Sequence, residues 1–97
     1  MIALTRAGHE LSWQKWDDVF IVYQPSSAET HVFNETTALI LRGLEQSAKS
    51  LDELREFTAS ELGIATEDLD ADDLAFAMAR IEELGLIERL DDVVAGQ

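Results

Sequence analysis

The chain has no cysteine, and only seven basic residues stand against twenty acidic ones. The missing cysteine excludes disulfides, thiolate nucleophiles and cysteine-based metal centres together. A reducing, cytoplasmic setting fits that composition. The shortage of Lys and Arg leaves a net charge of −13. Nucleic-acid phosphates are bound through Lys and Arg with release of counterions, and no stretch here supplies a basic patch. The imbalance is steepest in the second half, where residues 49–97 hold 14 acidic and 4 basic side chains. No apolar run approaches the ~20 residues that cross a bilayer. Met1 to Leu4 is too short for the apolar core of a signal peptide, and Arg6 and His9 follow at once.

Catalytic signals are equally sparse. The five glycines are isolated, so no glycine-rich phosphate loop exists, and Gly-x-Ser-x-Gly is absent. His9 and His31 are the only histidines, and neither belongs to a His-x-x-x-His or Glu-x-x-His pair. His31 alternates with Thr30 and Val32, which reads as a polar side chain on a half-exposed sheet face. The acidic run from Glu67 to Asp73 lacks the central glycine and the downstream glutamate of a calcium loop, so capping and solvation explain it better. The expectation is a binding protein that is no enzyme and needs no cofactor or metal. A phosphopantetheine carrier is the wrong shape: Lys49, not Asp, precedes Ser50-Leu51, and the first third is strand-rich.

What is present is an ordinary globular composition, 46% hydrophobic and 28% charged, sufficient for one domain over residues 1–97 with its core at about 10–88. The stretch from Tyr23 to Leu44 organises it. Val19 to Tyr23 is continuously apolar and β-branched or aromatic, which suits a central strand. Pro25-Ser26-Ser27 interrupts the ladder, and Thr30 to Phe33 resumes it. With an irregular strand over Glu10–Trp16, this predicts a three-stranded antiparallel meander. Met1 to Gly8 is weakly patterned and reads as a loose end.

Three helices are predicted to follow. Asn34 is placed to cap the first, over about Glu35–Gln46, with Ala38, Leu41 and Leu44 on one face. Ser50-x-x-Glu53 forms a capping box for the second, whose stripe is Leu51, Leu54, Phe57, Thr58 and Leu62 before Gly63 stops it. The third starts near Asp70 or Asp72 and ends at Leu84-Gly85, with Leu86-Ile87 extended after it and an acidic tail from Asp91 to Gln97. Its core arc is Leu74, Ala77, Met78, Ile81 and Leu84. Asp73, Phe76 and Arg80 fall together just outside that arc. Phe76 either completes the packing against a neighbour or lines a groove. Three strands followed by three helices is an α+β arrangement, winged-helix-like in its last two helices and the extended segment after them.

These residues resemble the PqqD family of small peptide-binding domains, also called the RiPP recognition element, and most closely the peptide chaperones of the HPr-rel-A system. The resemblance rests on Trp16-Asp17-Asp18, Val22-Tyr23, Ser27 to Asn34, Ala38-x-x-Leu41-x-x-Leu44, Ser50-x-x-Glu53-Leu54 and Leu84-Gly85-Leu86-Ile87. It departs at Ala28, where glycine is expected after the serine, and at Phe33, where leucine is usual. The resemblance implies a non-catalytic chaperone that binds a precursor's leader peptide as an added strand. The peptide would lie between the third strand, Thr30, His31, Val32 and Phe33, and the third helix, where Asp73, Phe76, Ala77, Arg80 and Ile81 form the opposing wall. It would be presented to a partner modifying enzyme, with an HPr-kinase-related protein as the implied partner. Two rivals use the same fold: an interaction subunit holding a kinase-related or nucleotidyltransferase partner without a peptide, and a winged-helix DNA-binding regulator, which the charge opposes.

Overall fold

Asn34 marks the point where sheet gives way to helix. Its backbone is extended, and its side chain accepts a hydrogen bond from the Thr37 N–H at 2.9 Å, satisfying a donor that the first helical turn leaves orphaned. In the computed structural model, which describes residues 1–90, β1 (Ile2–Leu4) and a single helical turn α1 (Arg6–His9) come first. The meander follows as β2 (Ser12–Trp16), β3 (Val19–Gln24) and β4 (Glu29–Phe33). Then come α2 (Glu35–Gln46), α3 (Leu51–Leu62), a 3₁₀ turn over Thr66–Asp68, α4 (Ala71–Glu83) and β5 (Ile87–Arg89). The acidic tail expected over Asp91–Gln97 lies outside the described residues.

The fold is α+β, as predicted. Its main sheet is antiparallel in the order β2-β3-β4, with the most apolar strand at the centre. The register sets Phe20 opposite Phe33 and Val22 opposite His31 on one side, and Ile21 opposite Val32 on the other. The first side is covered by α2, whose Ala38, Ile40, Leu41 and Leu44 are buried against it. Helices α3 and α4 pack on α2 and bring Leu54, Leu74, Met78 and Ile81 into the same core. Burying each large side chain of this kind is worth about 1.5–3 kcal/mol, and the stripe that achieves it recurs at helical spacing.

The helix ends behave as their chemistry dictates. Ser50 accepts from the Glu53 N–H at 3.1 Å while the Glu53 carboxylate accepts from the Ser50 N–H at 2.8 Å. Asp70 caps α4, its carboxylate accepting from the Asp72 and Asp73 N–H groups. Gly63 terminates α3 with φ 75°, a left-handed conformation that costs glycine nothing.

Two expectations need correction. The N-terminal residues are no loose end. Ile2 and Leu4 are buried, and β1 pairs antiparallel with β5 as a separate two-stranded sheet, Ile2 opposite Arg89 and Leu4 opposite Ile87. Ile2 also exchanges both backbone hydrogen bonds with Lys49, at 2.7 and 3.0 Å. The hydrophobic core therefore reaches back to residue 2. Glu10 caps the C-terminal end of α1 rather than opening β2. The second correction concerns His31, which is buried and not half-exposed.

Candidate functional site

β4 lies at one edge of the main sheet, and its outer side has no strand partner among the described residues. Every second residue of such an edge directs its N–H and C=O away from the sheet. Facing that edge is α4. Helix and strand run in opposite directions: Gln24, across from Glu29 at the start of β4, donates from Nε2 to the Leu84 carbonyl at 3.4 Å. At the other end Phe33 lies under Arg80, whose guanidinium carbon is 5.9 Å from the ring centroid.

Between strand and helix runs a groove of about 580 Å³. Its strand side is Val32 and Phe33, and its helix side is Asp73, Phe76, Ala77 and Arg80. Phe33 and Ala77 form a buried apolar floor. Phe76 stands on the lip with 75% of its surface exposed. Water gains nothing from an exposed phenyl ring, and the core does not use this one. Of the two alternatives for Phe76, the structure selects the groove. Asp73 and Arg80 are exposed and carry opposite charges one either side of Phe76 along the helix, and Arg80 makes no ion pair among the described residues. Beyond the Asp73 end, Asp17, Asp18 and Glu35 line a smaller hollow of about 270 Å³ with Lys15 and Phe20.

Six of the nine residues expected at the site thus line one groove. The other three do not. Thr30 is exposed on the edge strand but outside the groove lining. Ile81 is fully buried beneath the floor. His31 lies behind the floor, its ring stacked on Phe33 with centroids 5.6 Å apart. Its Nε2 is 2.7 Å from the Gln24 Oε1. Because the Gln24 Nε2 donates to the Ser26 Oγ and the Leu84 carbonyl, its Oε1 is the acceptor, and His31 Nε2 carries a proton. His31 and Gln24 therefore link β4 and the end of β3 to the C-terminal end of α4. The register of Gln24 was the only sequence signal for this link, and a glutamine ending an apolar strand is easily passed over. Val19, Asn34, Thr36 and Thr37 also border the groove. They were hidden because they come from three segments joined only by the meander and its cap.

Among the described residues no group of three or more His, Asp or Glu side chains converges as a metal site, and no helix is long and apolar enough to cross a membrane. Compared with family models, with curated proteins and with solved structures, the chain matches none.

Proposed function

We propose that this domain is a peptide chaperone of the PqqD type, which binds a precursor's leader peptide as a fourth strand beside β4. The observation that carries the reading is the open β4 edge facing an exposed Phe76 across an apolar-floored groove. An edge strand offers main-chain hydrogen bonds to an extended peptide, and the flanking hollow reads alternate side chains. Phe33 and Ala77 would receive an apolar side chain, with Phe76 closing over it. Asp73 and Arg80 would favour a peptide whose apolar residue stands between a basic and an acidic one, and the acidic surface would speed capture of basic flanks. The domain would catalyse nothing and would present the peptide to a modifying enzyme. The resemblance points to an HPr-kinase-related partner.

The test is an NMR titration with a candidate precursor peptide. Amide shifts should concentrate at residues 29–34 and 73–80, and Phe76→Ala should weaken binding about tenfold or more, a loss of ~1.4 kcal/mol, with an unchanged unfolding midpoint. Shifts confined to α3 would sink the proposal.

A further inference from the structure

The groove between β4 and α4 carries opposite charges toward its two ends, and the strand beside it has a direction. Asp73 and Arg80 are the charged side chains in its lining, about 10 Å apart along the helix axis. Leu84 meets Gln24 across from the start of β4. Because helix and strand run in opposite directions, Asp73 stands at the Phe33 end and Arg80 nearer the Glu29 end. The hollow beyond Asp73 adds Asp17, Asp18 and Glu35 against Lys15. At the opposite end Glu29 and Glu83 are exposed but take no part in the groove lining. Arg80 has a further property. Its guanidinium lies over the Phe33 ring, 5.9 Å from the centroid, and Phe33 is only 2% exposed although it floors the groove. An apolar side chain that seats on Phe33 must take the place of that guanidinium, which then loses the ring as its partner.

We propose that the groove reads charge order in the peptide: a basic residue, an apolar residue two positions later, and an acidic residue two positions after that. This rests on the peptide-binding reading above and adds direction and spacing to it. The spacing comes from the added strand. Only its alternate residues face α4, so neighbours in the groove are two positions and about 7 Å apart. Three consecutive groove-facing residues then meet Asp73, the gap between Phe33 and Phe76, and Arg80 in turn. The direction comes from the sheet, whose strand pairs are antiparallel, the pairing that is more stable per residue. A peptide antiparallel to β4 enters at Phe33 and leaves at Glu29. Its N-terminal side lies by Asp73 and its C-terminal side by Arg80. The acidic residue has a second task, since it receives the Arg80 guanidinium that the apolar residue displaces from Phe33. A peptide with the two charges exchanged sets a cation against Arg80 and a carboxylate against Asp73, with the acidic hollow beyond it.

Two peptides of one composition test the order: Thr-Lys-Thr-Leu-Thr-Glu-Thr and Thr-Glu-Thr-Leu-Thr-Lys-Thr. Both are acetylated and amidated, which removes the terminal charges. Their net charge is the same, so the pull of the acidic protein as a whole cancels in the comparison. NMR titrations should give the first peptide a dissociation constant about fivefold lower, from two matched against two mismatched exposed charge pairs. The ratio should fall toward one in about 1 M salt, where charges are screened beyond roughly 3 Å. Exchanging the charges of the protein, Asp73→Lys with Arg80→Glu, should invert the preference with an unchanged circular dichroism spectrum. Arg80→Gln, the milder change, should keep binding and lose most of the discrimination. Equal affinities, or a preference for the second peptide, with amide shifts at residues 29–34 and 73–80, overturn the charge order and leave the groove as a peptide site. A chain whose groove amides respond to neither peptide at millimolar concentration overturns the order and counts against the peptide-binding reading itself.

Discussion

Ala28 adopts φ 57° in the turn between β3 and β4. A side chain in this left-handed region crowds the following carbonyl and costs about 1–2 kcal/mol. Glycine avoids that cost but loses more chain entropy on folding, so the two effects oppose each other. The steric term is the larger, and Ala28→Gly should raise stability by about 0.5–1 kcal/mol, read as a higher denaturant midpoint at constant slope. Ala28 is thus a strained alanine in a turn conformation that glycine adopts freely. His31 presents the opposite case. Among the described residues it is the only donor to the Gln24 Oε1 in the side-chain network behind the groove. His31→Ala removes that donor and a ring stacked on Phe33, and should destabilise by about 1–3 kcal/mol from the orphaned amide oxygen alone. Thermal unfolding of the variant measures it. A histidine flanked by Thr30 and Val32 looks polar and peripheral in the sequence. It is buried because the strand's alternation turns it inward, and only Gln24 makes that burial tolerable.

Helix α3 gives the cleanest comparison at the scale of an element. Ser50 and Leu54 are one turn apart, yet one closes a capping box at the surface and the other is fully buried. Ser50→Ala should cost about 1 kcal/mol, and Leu54→Ala roughly 2–5 kcal/mol. Denaturant midpoints in the reverse order would contradict the placement of this helix. The same cap carries a pH signature. The Glu53 pKa is lowered by its hydrogen bonds with Ser50 and by Lys49 nearby. A carboxylate depressed in the folded state contributes stability that is present above its unfolded pKa and is lost as pH falls through the folded one. Glu53→Ala should therefore destabilise less in acid than at neutral pH, as denaturant midpoints at the two pH values would show. The helices were legible in the sequence because their signals are local: Asn34, Ser50, Gly63 and Asp70 each do their work within four residues. Strand β1 was not. Three residues carry no periodicity, and what fixes them, β5 and Lys49, lies some 85 and 47 positions away. The groove was half legible for the same reason: the face of α4 could be computed from helical spacing, whereas the opposite side is assembled from strand and cap residues distant from it in sequence.

The whole molecule is dominated by its charge. A surface at −13 repels a polyanion at any distance that salt does not screen. No affinity for duplex DNA should be measurable at physiological salt in a fluorescence anisotropy titration, and a micromolar, salt-sensitive dissociation constant would contradict the reading of the domain as a protein-binding module. The other global feature is the clasp of β1 on β5, reinforced by the Thr5 hydroxyl and N–H, which donate to the carbonyls of Gly85 and Leu86. Its register sets Ile2 opposite Arg89, so the outermost residues of the pair meet at one end of the ladder. Tension applied through the two ends of the chain would reach that end first and open the ladder like a zip, one rung at a time, with no rung sharing the load of the next. The clasp can therefore hold against heat, which must loosen all of it together, and still give way to a small mechanical pull.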